Sequence, residues 1–383
     1  MRSKASGKYI RTTVGGEAVD AFVPNPLPPK LTARELDALE EPLRNADAAI
    51  DRLRLASEMI PSLDWFIYSF VRKEALLSSE IEGTQATLTD VLSYEQTGQA
   101  GSSTIANVEE VTNYVAAINF AFEELSSKRG LPVSARLLDQ CHLRLMQGVR
   151  GENKQPGDIR RSQVWIGATR PGNAVFVPPP AENVRDLLSD LETYIHQDDD
   201  LSPILRTAAA HAQFETIHPY LDGNGRVGRM LISLLLAHWG LVSSPLLYLS
   251  VFLKAHQSTY YERLNKVRTD GDWLGWFSFF LEGVEQVADD ASKTASSLYN
   301  QVSRDRNTLL ATDSVTVSAI QLFEILPKTP VVSMPVVTKL LDTTKPTASK
   351  AIELLQQVGI LAEVGERKRD RLYAYRSYVT LLK

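Results

Sequence analysis

Residues 218–229 read HPYLDGNGRVGR, and an apolar helical pattern over Met230–Ala237 follows at once. Two glycines, Gly223 and Gly225, flank an asparagine directly ahead of this predicted helix. Glycines in that position expose backbone N–H groups, which cradle phosphate oxygens with the help of the helix dipole. The segment therefore predicts a phosphate-binding loop at a helix N-terminus.

The charged side chains of the loop complement this cradle. Arg226 and Arg229 are three residues apart on the predicted helix, so both can reach one anion. Asp222 offers a hard oxygen ligand, of the kind that Mg²⁺ takes alongside a triphosphate. His218 can accept a proton near neutral pH. A phosphate cradle, a metal ligand, two cations and a base together indicate nucleotide transfer.

Other nucleotide and metal motifs fit the sequence poorly. The segment Gly223–Gly228 formally matches G-x-G-x-x-G, but that fingerprint requires a preceding strand, and residues 204–217 show helical spacing. No Lys-Ser/Thr pair follows the glycines, which excludes a P-loop. His211 and His218 are seven residues apart, which is not a zinc-protease spacing, so we interpret His211 as a packed or surface histidine.

The loop resembles the signature of the Fic family, H-P-F-x-D/E-G-N-G-R-x-x-R, with Tyr220 in place of the usual phenylalanine. The resemblance extends over most of residues 1–300 and implies a mainly α fold, a Fic-type helical core with a β-hairpin flap. It implies a protein adenylyltransferase, which moves AMP from ATP onto a Tyr, Thr or Ser hydroxyl of a target protein, with Mg²⁺ on the phosphates. His218 would be the catalytic base and Asp222 the metal ligand. The ATP-binding residues implied are Gly223, Asn224, Gly225, Arg226, Arg229, Tyr260 and Tyr261.

An equally good interpretation is that Tyr260 and Tyr261 are ordinary aromatic residues of the core. The two residues precede a Gly271-Asp272-Trp273 segment that also resembles the Fic core.

Residues 163–180 carry a strand signal inside an otherwise helical pattern. Apolar residues alternate on both sides of a Gly- and Pro-rich turn, which predicts a β-hairpin over 164–178. An exposed hairpin edge can pair with an extended peptide, and in the Fic resemblance this hairpin is the flap that aligns the target. A purely structural hairpin is the alternative. The flap residues implied are Val164, Trp165, Ile166 and Gly167.

A second motif lies on the N-terminal side of the loop. Ser78-Ser79-Glu80-Ile81-Glu82-Gly83 resembles the Fic inhibitory motif S/T-x-x-x-E-G/N, in which Ser78, Glu82 and Gly83 are the specified positions. By this resemblance Glu82 would pair with Arg229 and deny that guanidinium to the γ-phosphate of ATP. An arginine–carboxylate pair is geometrically suited to such a lock.

Composition places the chain among cytoplasmic globular proteins. The net charge of −5 argues against a surface coated for nucleic acid, and the single cysteine, Cys141, excludes an intrachain disulfide. The basic N-terminus lacks the apolar run of a signal peptide. Between Arg229 and Lys254 no charged residue occurs, but Gly240 and Pro245 interrupt the run, so we predict no membrane span.

We predict three regions. Residues 1–110 would hold an extended N-terminal arm (1–30) and helices that include the inhibitory helix, residues 111–312 the Fic core, and residues 313–383 a small winged helix-turn-helix domain. The last region shows three helical segments (318–326, 334–341 and 347–358) and two short strand segments, LAEVGE and RLYAYR.

The C-terminal region could bind DNA or protein. Its basic residues are a phosphate-contact pattern, but they are also ordinary for a solvated wing. The residues concerned are Lys345, Lys350, Arg367, Lys368, Arg369 and Arg371.

Three functional alternatives follow from the sequence. The chain could be an auto-inhibited adenylyltransferase, a DNA-binding regulator that uses the Fic fold as a nucleotide sensor, or a Fic enzyme that removes AMP. An intact His218 favours an enzyme, because a pure sensor needs no base. Partners would be a target protein with an acceptor hydroxyl, the chain itself by automodification, and a second copy in a homodimer.

Overall fold

The computed structural model of the chain describes residues 6–58, 64–98, 103–242, 246–364 and 371–382. Within these ranges the protein is mainly α-helical, with one two-stranded and one three-stranded antiparallel sheet. The predicted fold class is confirmed. None of the helices in these ranges is long and apolar enough to cross a membrane.

Within the described residues, six α-helices precede the central helix pair. Several begin at a Ser or Thr whose hydroxyl accepts a hydrogen bond from a backbone N–H of the first turn, as Thr87, Thr104 and Ser134 do. The helices are α1 Ala33–Glu58, α2 Asp64–Ile81, α3 Leu88–Thr97, α4 Ile105–Ser126, α5 Ala135–Leu145 and α6 Ala181–His196.

The next two helices form the centre of the core. Helix α7, Pro203–Ile217, begins with Ser202 as its N-cap and a proline in its first turn. From Ile204 onward every residue of α7 is buried, and nearly all of α8, Asn224–His238, is buried as well. Residues 218–223 join the two helices. The predicted phosphate loop is therefore held at the centre of the fold.

Three further helices complete the core. They are α9 Ser250–Ala255, α10 Gln257–Asp270 and the long α11 Trp273–Leu310, which packs lengthwise against α1.

The prediction of an extended arm over residues 1–30 is wrong for residues 7–24, which form two paired strands. Strands β1, Gly7–Val14, and β2, Glu17–Pro24, form an antiparallel hairpin. Its turn consists of Gly15 and Gly16, which adopt φ values of 58° and 84°. Two consecutive residues with positive φ match the right-handed twist of paired strands, and glycine adopts them without steric cost.

The flap hairpin is shorter than predicted. Ile166 and Phe176 form a single antiparallel bridge, and Gly167 adopts a φ of 82° where the chain begins to turn. Pairing stops after Val177 because three prolines, which lack a backbone N–H, occupy positions 178–180. On its other edge the flap meets the N-terminal hairpin, since the Phe22 N–H donates to the Val177 carbonyl over 2.9 Å.

The C-terminal region contains the predicted helices and strands. Strand β5 lies between β3 and β4, and β3 was not predicted. The Tyr375 hydroxyl donates to Asp305 Oδ2 on α11 over 2.7 Å, so this region is tied to the core helix. The elements are α12 Val317–Ile325, β3 Val331–Ser333, α13 Met334–Leu340, α14 Lys345–Gln357, β4 Leu361–Val364, β5 Leu372–Tyr375 and α15 Arg376–Leu381.

The assignment of a winged helix and of DNA binding stays a prediction. Of the predicted wing residues, Arg367, Lys368 and Arg369 lie outside the described residues.

Candidate active site

The loop between α7 and α8 is closed by one asparagine. Asn224 Oδ1 accepts from the Tyr220 N–H, and its Nδ2 donates to the Tyr220 carbonyl, each over 2.8 Å. The side chain of Asn224 thus reproduces the hydrogen bonds of a paired strand across a tight turn. Since both polar atoms of its side chain are used in this way, Asn224 shapes the loop, and its backbone N–H at the start of α8 is the group left for an anion.

His218 ends helix α7 in the left-handed conformation, with a φ of 49°. Burial, together with the charges of Arg268 and Arg160, lowers the pKa of its imidazole to about 3. The ring is therefore neutral at physiological pH and holds a free lone pair. The Glu215 backbone partly offsets this lowering of the pKa, and within the described residues the buried Nδ1 of His218 forms no hydrogen bond of ordinary geometry.

Asp222 keeps part of its carboxylate available. Oδ1 accepts from the Gly223 N–H over 2.6 Å and lies 3.8 Å from Arg226 Nη2. The side chain is 36% exposed, and Oδ2 accepts no hydrogen bond from the described part of the chain. Mg²⁺ at nucleotide sites is typically held by one or two carboxylates plus substrate phosphates and water. The partly exposed carboxylate of Asp222 fits the role of such a single carboxylate ligand.

The first turn of α8 is already covered by a carboxylate. A Cβ placed on Gly225 would lie 2.3 Å from Glu82 Oε1, so the Glu82 side chain rests directly against this glycine. The N-terminus of a helix carries unpaired N–H groups and a partial positive charge, which favour an anion. Glu82 therefore occupies the kind of position that a phosphate would take.

Arg229 is held by Ser78 on α2 and by Glu82, which directly follows the end of that helix. Its Nη2 donates to Glu82 Oε1 over 2.7 Å and to the Ser78 carbonyl over 2.8 Å, and its Nε donates to Ser78 Oγ over 2.9 Å. Burial would raise the pKa of Glu82, but the Arg229 charge outweighs it and lowers that pKa below its ordinary value. The pair is thus an ionised salt bridge between α8 and the residue that directly follows α2. Gly83 follows Glu82 at the end of α2 with a φ of 91°.

Arg226 forms fewer hydrogen bonds than Arg229. It lies 3.7 Å from Glu110 Oε2 and 3.8 Å from Asp222 Oδ1, but its buried Nε and Nη1 have no hydrogen-bond partner among the described residues. A buried guanidinium with unused donors is costly unless an anion completes its hydrogen bonding. Arg226 is accordingly prepared for a further acceptor.

The two tyrosines occupy different environments. Tyr260 is buried, and its hydroxyl lies 2.9 Å from Nε2 of His211, whose Nδ1 lies 2.9 Å from the Gly228 carbonyl. His211 and Tyr260 are therefore packed side chains behind α8. Tyr261 is 46% exposed and remains accessible to a ligand.

Arg160 was missed by sequence reasoning, although it connects the flap to the loop. Its guanidinium is buried and donates only to backbone carbonyls: those of His218 (2.9 Å), Ser162 (3.2 Å), Pro179 (2.6 Å) and Ile217 (3.3 Å). One side chain therefore ties both ends of the flap to the residue that would act as base. The flap residues Val164 and Trp165 lie between these anchors, and Trp165 Nε1 donates to the Ala168 carbonyl over 3.1 Å.

His142 on α5 is the second residue that the sequence did not reveal. Its ring stacks on Tyr220 at 3.9 Å, its Nε2 lies 3.0 Å from the Asp222 carbonyl, and its Nδ1 accepts from the Gly157 N–H over 2.9 Å. Because Nδ1 accepts, Nε2 carries the proton and donates to Asp222. Burial lowers the pKa of His142 to about 4. His142 thus positions the Asp222 end of the loop as a neutral ring.

This predicts a pH-dependent contribution of His142 to stability. In the unfolded chain the ring takes up a proton below its ordinary pKa of 6.5, whereas the folded protein does so only near 4, so stability falls as pH falls through this interval. Urea unfolding at pH 7 and pH 5 should show wild type losing about 2 kcal/mol more than His142→Gln. An equal loss in both proteins would contradict the neutral, buried assignment.

The fold and the loop together define a helical protein in which a glycine-containing turn joins two buried helices, and the carboxylate of Glu82 pairs with Arg229 of the second helix. Residues 132–236 match the family model described as Fic/DOC family, and residues 41–123 match the Fic/DOC family N-terminal model. The chain thus contains a Fic/DOC family N-terminal region followed by a Fic/DOC family region.

Solved structures share the fold. A Fic family protein from Desulfovibrio desulfuricans G20 superposes with a TM-score of 0.56 at 21% identity, covering 91% of this chain and 98% of that one. Fic-1 (residues 134–508) from C. elegans gives 0.53 at 22% identity, covering 70% and 74%.

The curated relatives include proteins named protein adenylyltransferase Fic. The protein from Drosophila grimshawi is 27% identical over 225 residues, 58% of this chain and 43% of that protein. The protein from Drosophila mojavensis is 26% identical over 275 residues, 71% and 50%. The chain spans about half the length of these relatives.

Proposed function

We propose that this protein is an adenylyltransferase that transfers AMP from ATP to a hydroxyl of a target protein and is inhibited by its own Glu82. The observation that carries the proposal is the salt bridge of 2.7 Å between Glu82 and Arg229 at the N-terminus of α8. In this salt bridge Arg229 is the cation suited to binding a phosphate. Glu82 is an anion of the same chain, and it lies at the N-terminus of α8. The names of the curated relatives support AMP transfer as the reaction.

In the proposed reaction the acceptor oxygen attacks the α-phosphorus of ATP in line with the leaving pyrophosphate. His218 takes the hydroxyl proton, a new P–O bond forms to the target, and the bond to the β-phosphate oxygen breaks. The neutral state of His218 supports this role, since only the unprotonated ring can accept a proton. Bound triphosphate would add negative charge nearby and raise the pKa of His218 toward the working pH.

The remaining groups would position the phosphates. The backbone N–H groups at Asn224 and Gly225 and the unused donors of Arg226 would bind oxygens of the α- and β-phosphates, and a released Arg229 would bind the γ-phosphate. Asp222 would hold Mg²⁺, which when bound neutralises charge on the phosphate oxygens. Catalysis would then come mainly from positioning and charge stabilisation.

The flap would present the target. Its first edge, residues 164–166, is the one available for an added strand, because the other edge pairs with β2 through Phe22 and Val177. An extended target segment bonded to this edge would lie near His218, which Arg160 ties to the flap. A segment of the same chain or of a second copy would be modified in the same way.

The direct test uses ATP labelled at the α- or the γ-phosphate. The protein and its Glu82→Gly variant are incubated with each nucleotide, with and without a lysate as a source of targets, and protein-bound label is measured. We expect retained label from the α-position only. Label retained from the γ-position would indicate phosphoryl transfer, and label from neither in both proteins would refute the proposed reaction.

A further inference from the structure

Arg150 is an exposed cation close to the loop between α7 and α8, and none of the roles assigned above uses it. It lies in the segment that follows α5, and its side chain is 58% exposed. Within the described residues its guanidinium forms one hydrogen bond, from Nη2 to the Glu82 carbonyl over 3.4 Å. A guanidinium has five N–H donors in a planar fork. Arg150 therefore contacts the residue that pairs with Arg229 while most of its own donors remain unused.

A single buried carboxylate links Arg150 to Arg226. Oε1 of Glu110 on α4 lies 3.7 Å from Arg150 Nε, and Oε2 lies 3.7 Å from Arg226 Nη1. Oε2 also accepts from Thr84 Oγ1 over 2.6 Å. Burial, with a smaller effect of the nearby Arg150 charge, lowers the pKa of Arg226. Two like charges thus lie on the two oxygens of one carboxylate, and an anion beside them is attracted by both.

The backbone next to Arg150 approaches Asp222 closely. A Cβ placed on Gly151 would lie 3.1 Å from Asp222 Oδ2 and 2.3 Å from Met146 Cε. Gly151 also adopts a φ of 92°, a conformation that is strained for a residue with a side chain. Glycine therefore lets this segment lie against the loop, and it holds Arg150 near the carboxylate oxygen of Asp222 that is left free.

These contacts place Arg150 at the edge of the space that a polyphosphate would fill. Arg150 contacts Glu82, which occupies the place of a phosphate at the start of α8, and it shares a carboxylate with Arg226, whose Nε and Nη1 are unused. The glycine beside it lies against Asp222. An arginine fork can bind two phosphate oxygens at once. An anion that displaced Glu82 would therefore have its outer oxygens next to an exposed guanidinium held by one long hydrogen bond.

We propose that Arg150 is a further phosphate-binding residue, which exchanges the Glu82 carbonyl for oxygens of the β- and γ-phosphates when ATP displaces the Glu82 side chain. The exchange replaces one hydrogen bond to a carbonyl with charge-assisted hydrogen bonds, which are stronger. The inference rests on the proposed function, because it concerns the nucleotide that the transferase would bind. Since the α-phosphate would lie at the loop beside His218, Arg150 would distinguish a triphosphate from a monophosphate.

The test measures nucleotide affinity by calorimetry on the full chain in the Glu82→Gly background. ATP and AMP are the two ligands, both in the presence of Mg²⁺. We expect Arg150→Ala to bind ATP about tenfold or more weakly than the Glu82→Gly parent, and to bind AMP within about twofold of it. Arg150→Lys keeps the charge but lacks the planar fork, so its affinity for ATP should lie between the two.

Arg306 on α11 provides the matched control. Its side chain is 55% exposed and pairs with one carboxylate, that of Glu324 on α12, over 2.9 Å. Arg306→Ala in the same background therefore removes an arginine of similar exposure and pairing, and it should leave both affinities unchanged. Thermal unfolding checks that each variant folds.

The outcomes separate this inference from the proposed function. If Arg150→Ala binds ATP as tightly as its parent, or more tightly, Arg150 only holds the chain at residue 82 and the inference is overturned. An equal loss of affinity for ATP and AMP would overturn the assignment to the β- and γ-phosphates. A parent that shows the tenfold difference but transfers no AMP would refute the proposed function and leave the role of Arg150 standing, whereas a parent that binds no ATP would refute both.

Discussion

The Glu82→Gly variant is expected to transfer AMP about a hundredfold faster than wild type. In wild type the Glu82 carboxylate lies 2.7 Å from Arg229 Nη2 and rests against Gly225, so it competes with the γ-phosphate for both the guanidinium and the helix start. Its removal lets the triphosphate settle with the α-phosphorus in line with the incoming hydroxyl. A misplacement of about 1 Å can cost about 10²-fold in rate. The measurement is incorporation of α-labelled AMP over time.

A matched control lies two residues away. Glu80 lies in the last turn of α2 and pairs with Lys254 at 2.5 Å instead of Arg229. Glu80→Gly removes a carboxylate from this region and adds a glycine inside the helix without touching the inhibitory pair, so its transfer rate should stay near that of wild type. Unchanged or reduced transfer by a folded Glu82→Gly protein would contradict the inhibitory role.

AMP removal by Glu82 predicts a different pattern. If Glu82 positions a water for hydrolysis, Glu82→Gly would accumulate product because reversal is lost. Target that has been modified beforehand separates the two cases. Under inhibition alone wild type leaves its AMP in place, whereas under hydrolysis wild type removes it and the variant does not.

The loop could be predicted from the sequence because its chemistry is contiguous. Twelve successive residues supply the glycines, the cations, the carboxylate and the histidine, so no long-range contact had to be inferred. The C-terminal helices were predictable for a similar reason: the segment predicted over 334–341 and the observed helix Met334–Leu340 follow a local apolar period.

The supporting contacts could not be predicted in this way. His142 lies 80 residues before Asp222, and Arg160 lies 58 residues before His218. Neither residue type is unusual at its position, and nothing local marks them. Their roles arise only when α5 and the flap pack against the loop.

The N-terminal hairpin was not predicted for a different reason. Four prolines lie within residues 24–29 and favour an extended arm, whereas Gly15-Gly16 is a turn signal for a two-residue hairpin. The two arginines show a limit of motif reasoning as well. The motif assigns both to phosphate, yet Arg229 is bound by α2 and Arg226 retains unused donors.

Loss of the His218 imidazole is expected to lower AMP transfer by about 10²–10⁴-fold. His218→Ala should be introduced into the Glu82→Gly background, since relief of inhibition makes the loss measurable over a larger range. The ring would take the acceptor proton, whereas backbone N–H groups and arginines would hold the phosphates. We therefore expect the affinity for ATP to change little while the rate collapses.

Two further variants separate chemistry from folding. His218 has a φ of 49°, a conformation that asparagine tolerates better than alanine, so His218→Asn keeps the turn but supplies no base. His196 on α6 is exposed and distant in sequence from the loop, and His196→Ala should transfer AMP normally. Both His218 variants should show the same deficit, with ATP binding retained. A His218→Asn protein that modifies its target at the rate of its Glu82→Gly parent would show that His218 is not the base, and the acceptor proton would then have to leave by another route.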